Sequence, residues 1–372
     1  MASQDFEYVH QESAFPLDFL NILDATSVSR RGARRVWEQW LADKLTSDTS
    51  HSRKHHVIDL FSGCGGLSLG FSSAGFEVLK GFDSWAPAVQ TYNANFDHPA
   101  EMLDLSDFDL AIDALKDFKD GDSFPAVIGG PPCQDFSSAG KRVENENADL
   151  TRLFAEYISQ LRPPFFVMEN VPNARHFRVY KSALSRMQAE GYHIFTRIFD
   201  ASMIGTPQRR KRLFAIGSLD EDFLERIQQE IFLTEALLGD IFRKEPMTVE
   251  RWFGVGNIPN FYYRHPWSYD RRGIFRSAEP SPTIRGVNRP KPPTYEWHEK
   301  ELQLEGFEEV LADPSGLRAL TVHERKQLQS FPENFRLSGP RTVQEQMIGN
   351  AVPVMLAYFV ADKVLRALNV AS

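Results

Sequence analysis

The stretch Val57-Ile-Asp-Leu-Phe-Ser-Gly-Cys-Gly-Gly-Leu-Ser-Leu-Gly70 runs from a short apolar segment through a glycine-rich turn into a helical pattern. A strand that ends in tightly turning glycines and opens a helix begins a βα unit whose turn brings backbone close to a ligand. Asp83 stands twenty residues beyond Gly63, after the apolar run Val78–Phe82, where a carboxylate can accept hydrogen bonds from ribose hydroxyls. The turn therefore reads as a nucleoside-cofactor site. Glycines alone fit a dinucleotide-binding enzyme as well; Phe61, inside the turn, adds a ring able to stack on adenine.

Outward from this unit, apolar runs recur at Ala126–Ile128, Phe165–Met168, Ile194–Phe199 and Leu213–Ile216, separated by helical patterns. Strands alternating with helices predict an α/β fold, a doubly wound and mostly parallel sheet covered on both faces, with ligands gathered beyond the carboxyl ends of its strands. After Gly217 the alternation stops and Leu219–Val249 reads as an acidic helix. The following stretch, 261–291, carries Arg264, Arg271, Arg272, Arg276, Arg285, Arg289 and Lys291 against Asp270 and Glu279, interleaved with Phe261, Tyr262, Tyr263, Trp267, Tyr269 and Phe275. Such a strip suits contact with phosphates and bases, with a solvated loop as the plainer alternative. A helical pattern over Gln344–Leu368, interrupted by Gly349-Asn-Ala-Val-Pro353, returns to the character of the first domain. The organisation predicted is a helical leader over 1–52, a catalytic and cofactor-binding α/β domain over 53–217, a smaller target-recognition domain over 218–315, and a return to the catalytic domain over 316–372. In the leader, Ser29–Leu45 places Val36, Trp37, Trp40, Leu41 and Leu45 at helical spacing, a stripe that favours packing on the main body over a DNA-contacting or dimerising role.

Composition bounds the remaining classes. With 372 residues, 42% hydrophobic and 25% charged, the chain is long enough for two domains and ordinary for a globular protein. No apolar run approaches the roughly 18–20 residues needed to span a bilayer, and the first thirty residues carry no basic-then-apolar signal, so an intracellular, cytoplasmic protein with no membrane attachment is expected. Two cysteines, Cys64 and Cys133, exclude a disulfide framework and a four-cysteine zinc site, and no metal is called for. The net charge of −8 argues against indiscriminate coating of nucleic acid.

Three further segments carry chemistry. Gly129-Gly-Pro-Pro-Cys133-Gln-Asp-Phe-Ser-Ser-Ala-Gly-Lys-Arg142 leaves the Ala126–Ile128 strand with two prolines stiffening the approach to Cys133, where a thiolate can attack an electron-poor ring carbon. Phe165-Phe-Val-Met-Glu169-Asn-Val-Pro172 ends an apolar strand on a carboxylate; half-buried there, its pKa is raised and it can share a proton with a ring nitrogen. A helix-capping role is the alternative for Glu169. Gln208-Arg-Arg-Lys-Arg212 precedes another strand, so its arginines reach the same sheet edge and can hold a carbonyl oxygen or a phosphate.

These segments in this order, followed by Pro282-Thr-Ile284, Ala319-Leu-Thr-Val-His-Glu-Arg325 with Leu328-Gln-Ser-Phe-Pro332, and Gly349–Pro353, resemble the DNA cytosine-5 methyltransferases of bacterial restriction-modification systems over about Val57–Leu368. The resemblance implies an S-adenosylmethionine-dependent, Rossmann-like methyltransferase that flips a cytosine out of duplex DNA, adds Cys133 to its carbon 6 and methylates carbon 5, leaving S-adenosyl-L-homocysteine. Glu169 would contact N3 and the exocyclic amine, and Arg212 would steady O2 with Arg210 nearby. Phe61 would stack on adenine, Asp83 hold the ribose and Asp104 meet the adenine amine. Ser62, Gly63, Cys64, Gly65, Gly66, Pro132, Asn350 and Val352 would line the rest of the cofactor. Gln134, Ser137, Arg271, Arg272, Arg276, Thr283 and Arg285 are the candidate DNA contacts. Double-stranded DNA is the partner implied, met by a monomer at the bacterial nucleoid, with a cognate restriction endonuclease acting separately. Ala139 and the segment around Arg152 depart from the family pattern, and the leader matches nothing in it. A transfer-RNA methyltransferase of the same architecture is the nearest rival; its relatives carry a Cys-Phe-Thr motif in the recognition region, and no cysteine follows Cys133 here. A regulatory paralogue that only binds would be expected to lack Cys133, Glu169 or the arginines, and a nicotinamide-dependent dehydrogenase leaves the Pro-Pro-Cys loop without a purpose.

Overall fold

The computed structural model describes residues 32–46, 55–121, 123–132, 146–266, 268 and 271–369. Its central sheet is built from β1 (His56–Leu60), β2 (Glu77–Asp83), β3 (Ala100–Met102), β4 (Ala126–Gly129), β5 (Phe165–Asn170), β6 (His193–Asp200) and β8 (Lys211–Ser218), in the order β3-β2-β1-β4-β5-β8-β6; the two-residue β7 (Gln208–Arg209) lies outside it. Pairings from β3 through β5 are parallel, and β8 runs antiparallel to both β5 and β6. Strand order reverses between β1 and β4, which opens a crevice beyond their carboxyl ends.

The strands read as unbroken apolar runs because both faces are covered. Val57, Ile128 and Val167 point into one core, while Ile58, Val127 and Phe166 point into the other. The helices Gly66–Ala74, Glu221–Lys244 and Val354–Asn369 cover the first face; Phe108–Lys116, Glu146–Leu161 and Arg178–Ala189 cover the second. The α/β, doubly wound, mostly parallel fold expected from the sequence is the one observed. The interrupted helical pattern near the C-terminus resolves into Arg341–Asn350 and Val354–Asn369, separated at Ala351–Pro353.

Two parts differ from the sequence reading. The acidic helix Glu221–Lys244 was grouped with the recognition region, yet it lies on the sheet: Phe223, Leu224, Ile227 and Ile231 enter the first core, and Phe223 meets Phe165 of β5 at 5.7 Å. The antiparallel strands β8 and β6 need an apolar cover on that face, and this helix supplies it. The aromatic residues of the basic stretch are the second difference. β9 (Phe261–Tyr263) and β10 (Ile274–Arg276) form an antiparallel hairpin in which Phe261, Tyr262 and Tyr263 are buried: Phe261 and Tyr263 form a small core with Phe307 and Val310, and Tyr262 joins the first core, so none of the three rings is left to contact bases. Trp267 and Tyr269 lie outside the described residues. The buried carboxylate of Glu301 pins this hairpin by accepting from the Gly273 and Ile274 amides, at 2.6 and 2.8 Å, and from the Tyr295 hydroxyl at 2.6 Å.

The helix Gly32–Thr46 belongs to the main body. Trp37 is 1% exposed and donates from Nε1 to the Ser330 carbonyl at 2.8 Å, while Trp40 stacks on it and meets Tyr358 edge-on. Ser330 takes a left-handed φ of 58°, a conformation that an unbranched neighbourhood would not favour for serine and that the Trp37 bond and the Met355 amide, donating to Ser330 Oγ at 2.9 Å, help to hold. Truncation of Trp37 to alanine is expected to lower unfolding free energy by about 3–5 kcal/mol in chemical denaturation. A loss below about 1 kcal/mol would show that the leader helix is dispensable.

Candidate active site

The carboxyl edge of the sheet gathers the glycine-rich turn, two carboxylates and the Gly349–Pro353 segment. Phe61 leaves β1 with φ 59°, a costly conformation for an aromatic residue, and its ring is only partly buried. Ser62 donates its amide to the Phe82 carbonyl at 3.0 Å, and Gly65 returns an amide to the Ser62 carbonyl at 2.9 Å, closing the turn before the helix begins at Gly66. Asp83, at the end of β2, accepts from the Gly63 amide through Oδ2 and from the Trp85 amide through Oδ1, both at 2.8 Å. Burial raises its pKa, and the two amides oppose that rise. Asp104 stands exposed beyond β3 and is held below the usual carboxylate range by the Ser106 hydroxyl and amide.

A Cβ added at Gly66 would lie 2.5 Å from the Val352 carbonyl oxygen, and one added at Gly349 would lie 2.1 Å from the Gly286 nitrogen. The turn thus packs against the segment holding exposed Asn350 and buried Val352, and that segment packs against the chain leaving Ile284. Above Gly63 the space is open, since a Cβ there meets nothing within 4 Å. A partly exposed ring, two carboxylates and an open stretch of glycine backbone make a donor set suited to a nucleoside. Cys64 is buried among these residues, and burial pushes its thiol up to about 12, which leaves it unreactive.

The next two strands along the sheet bring the second cluster. β4 exits through Gly130 and Pro131 to Pro132, and the Asn170 side chain at the end of β5 reaches the Pro131 carbonyl at 3.5 Å. Cys133, Gln134 and Ser137 lie outside the described residues. Glu169 pairs with Arg212 through Nε at 2.8 Å, both side chains nearly buried. Their meeting follows from strand direction: β8 starts where β5 ends, which places Arg212 across from the carboxylate. Burial raises the Glu169 pKa, and Arg212 first and Arg210 second pull against it. Gly130 borders this pair, as a Cβ there would sit 3.2 Å from Glu169 Oε2.

Arg210 is placed differently from its neighbour. Fully buried, it donates to the carbonyls of Ile284 (2.8 Å), Gly349 (2.8 Å) and Ala351 (2.9 Å), so its guanidinium fastens backbone where the sequence reading had it beside Arg212 at the reacting ring. Alternate residues of an extended segment point to opposite sides, which separates positions 210 and 212 from position 211 but lets the turn before β8 carry Arg210 inward. Gln208 and Gln329 extend the same fastening: Gln208 donates to the Leu328 carbonyl and Gln329 Oε1 and accepts from the Ile284 amide, while Gln329 donates to the Ile348 carbonyl. β7 also pairs in parallel with β11 (Ser281–Pro282). Gln329 lies in the Leu328–Pro332 segment that carries the family resemblance, but the sequence gives it no role.

The candidate DNA contacts are spread unevenly. Arg271 is exposed, Arg272 lies over the Phe275 ring at 4.6 Å, and Arg276 pairs with Glu305 at 2.9 Å. Thr283 donates its hydroxyl to the Arg209 carbonyl at 2.7 Å, and Arg285 donates to the His265 carbonyl.

Comparison with known proteins agrees with this arrangement. The family model for C-5 cytosine-specific DNA methylases matches residues 55–366. The type II methyltransferase M.HgiDI of Herpetosiphon aurantiacus is 45% identical over 317 residues, 84% of this chain and 95% of that protein. M.HindV of Haemophilus influenzae, also a type II methyltransferase, is 44% identical over 314 residues, 83% of this chain and 95% of that protein. The crystal structure of the S. pombe Dnmt2 methyltransferase shares the fold, with a TM-score of 0.58 at 16% identity over 85% of this chain and 100% of that one.

Asp59 is a site-edge residue to which the sequence reading assigns no role, and a carboxylate inside an apolar strand is the signal that could have marked it. It is 0% exposed beneath the turn, with Oδ2 accepting from the Ser68 hydroxyl at 2.6 Å, which in turn accepts from Tyr92 at 2.8 Å. Burial pushes its carboxyl up to about 7 from an ordinary 3.8, the Ser68 bond opposing and Asp83 adding to the rise. Because the folded form holds this proton more tightly than the unfolded one, its contribution to stability is complete below 3.8 and is lost as pH rises through about 7. Asp59→Asn keeps an oxygen for Ser68 but cannot ionise. Its stability relative to the parent should therefore improve by up to about 4 kcal/mol between acid and alkaline pH in denaturant titrations. An identical pH dependence in the two proteins would refute a buried, proton-holding Asp59.

Proposed function

The chain belongs to the C-5 cytosine-specific DNA methylases and is a DNA cytosine-5 methyltransferase, and from that premise we propose that it methylates one cytosine of a short duplex DNA sequence after flipping the base out and adding Cys133 to its carbon 6. The observation that carries the reading is the nearly buried Glu169–Arg212 pair, with the Asn170 side chain beside it reaching the carbonyl of Pro131, two residues before Cys133 in the chain. Inside a duplex neither face of the ring is reachable, so the base must leave the stack.

Glu169, its pKa raised by burial, is suited to share a proton with N3, which draws electrons from carbon 6. Arg212 steadies the O2 oxygen. The Cys133 thiolate forms a bond to carbon 6, and the displaced electron pair makes carbon 5 nucleophilic. When bound, S-adenosyl-L-methionine supplies an electrophilic methyl group for that carbon. Loss of the carbon-5 proton then restores the double bond and expels the Cys133 thiolate. Phe61, Asp83 and Asp104 would hold the adenosine, with Ser62, Gly63, Cys64, Gly65, Gly66, Pro132, Asn350 and Val352 around the remainder. Arg210 would position Arg212 and the Gly349–Val352 wall without touching the base. Arg271, the most open of the hairpin arginines, would reach the DNA, with Thr283 beside the backbone.

We propose that it acts as a monomer on DNA in a bacterial cytoplasm, beside a separate cognate restriction endonuclease; the type II methyltransferase names of its bacterial relatives support the restriction-modification part of this reading. Among the described residues no helix is long and apolar enough to cross a membrane.

Purified full-length protein should transfer labelled methyl groups from S-adenosyl-L-methionine to duplex DNA and not to transfer RNA, with bisulfite sequencing placing every protected cytosine in one short motif. Cys133→Ala should abolish transfer; equal conversion by parent and variant would eliminate the covalent mechanism. Glu169→Gln keeps a donor near N3 but has no proton to give, so kcat should fall about 10²–10⁴-fold. The parent should lose activity on the alkaline side as Glu169 ionises, a limb that the glutamine variant should lack.

A further inference from the structure

The helix Gly32–Thr46 precedes the region 55–366 that carries the family relationship, yet it reaches the backbone turn on which one wall of the nucleoside site depends. Trp37 is 1% exposed and donates from Nε1 to the Ser330 carbonyl at 2.8 Å, and Arg34 donates to the Glu333 carboxylate at 2.9 Å. Gln329 and Ser330 are themselves fully buried. Ser330 carries the left-handed φ of 58°, which a residue with a Cβ rarely takes unless its surroundings impose it.

That turn brackets the segment of Asn350 and Val352 from both sides. On the upstream side Gln329 Nε2 donates to the Ile348 carbonyl at 2.6 Å and to the Ala351 carbonyl at 3.4 Å. On the downstream side the first amides of the helix Val354–Asn369 have no carbonyl of their own helix to meet. Val354 donates instead to the Gln329 carbonyl at 3.1 Å, and Met355 to Ser330 Oγ at 2.9 Å. Phe331, the next residue, abuts the glycine-rich turn: a Cβ added at Gly66 would lie 3.3 Å from its ring and 2.5 Å from the Val352 carbonyl oxygen. A shift of the 329–331 backbone therefore disturbs both walls of the nucleoside site together, because a close-packed interior passes small displacements on.

We infer that Trp37 is a positioning residue for the nucleoside cofactor: its indole holds the Ser330 carbonyl and so keeps Asn350 and Val352 seated against the Gly63–Gly66 turn where S-adenosyl-L-methionine binds. The inference rests on the cofactor placement proposed above and gives the leader helix a part in ligand binding as well as in stability. Loss of the indole N–H takes a donor from a buried carbonyl and lets a left-handed serine relax toward an ordinary φ. Linkage is reciprocal, so a bound cofactor in turn holds the helix.

The test uses the full-length protein and S-adenosyl-L-homocysteine, with binding measured by calorimetry well below the melting temperature of every variant. Trp37→Phe keeps an aromatic ring in the core but loses the donor. It should weaken binding about fivefold and raise KM for S-adenosyl-L-methionine by about the same factor, with kcat at saturating cofactor within about twofold of the parent. Trp40→Phe, which disturbs the same helix at its contact with Tyr358, should leave the affinity unchanged. In a Ser330→Gly background, where a left-handed φ carries no penalty, the effect of Trp37→Phe should shrink to about twofold or less. In the parent, bound S-adenosyl-L-homocysteine should slow hydrogen exchange across Gly32–Thr46 more than across Arg178–Ala189 on the other face of the sheet, a readout that stands even if Trp37→Phe folds poorly. Equal affinity in Trp37→Phe and the parent overturns the inference. So does an equal weakening by Trp40→Phe, which would reduce the helix to general support, an undiminished loss in the Ser330→Gly background, or no added protection of Gly32–Thr46. A parent that binds neither S-adenosyl-L-methionine nor S-adenosyl-L-homocysteine would instead overturn the cofactor reading; a parent that binds them no better than Trp37→Phe does overturns only the role of Trp37.

Discussion

The rest of the structure depends on one buried cation. Arg210 has no exposed surface, and its guanidinium draws together the carbonyl of Ile284 and those of Gly349 and Ala351, two stretches that lie far from it and from each other in sequence. Withdrawing a guanidinium from water costs several kcal/mol unless its donors are met in good geometry, so the three carbonyls cannot drift independently. Through them the strand bearing Arg212, the start of the recognition hairpin's return path and the far wall of the nucleoside site become one rigid unit. Gln208 and Gln329 repeat the device with neutral side chains, and Gly349 permits the close approach that the arrangement demands.

Burial sets the acid-base character of the sheet edge. Asp59, Asp83 and Glu169 sit at the ends of, or within, strands of one sheet, and desolvation pushes each of their pKa values upward. Local donors then separate them. Asp83 is opposed by two amides, Asp59 by Ser68 and Glu169 by two guanidinium groups, so carboxyls of one sheet edge meet different tasks.

The sheet was legible because its signal is local and repeated. Apolar runs of three or four residues mark β1, β4, β5 and β8 to within a few residues, and strand-end chemistry puts Phe61, Asp83, Glu169 and Arg212 on one edge. What stayed hidden depends on contacts remote in sequence. Arg210 and Arg212 look alike in a basic run, and only the positions of Ile284 and Gly349 separate a clamp from a site residue. The aromatic residues around Tyr262 read as a binding surface because charge and rings alternate there, whereas the fold turns Phe261 and Tyr263 inward onto Phe307 and Val310 and Tyr262 into the first core. Helix Glu221–Lys244 was assigned to the wrong unit for a related reason: its acidic face is visible in sequence, but the strand face that it covers is not.

The packing of helix Val354–Asn369 on helix Gly66–Ala74 carries a consequence for how the protein is made. A ribosome delivers the wall formed by Gly349–Val352 long after the glycine-rich turn, so the two halves of the nucleoside site meet only once the intervening chain has been made. Until then the first core lacks a cover over β1 and β4, and the nascent chain presents an apolar sheet face of the kind that invites aggregation. The same order of events means that a chain cut short before Gly349 has no complete nucleoside site, which ties competence in chemistry to synthesis of that segment.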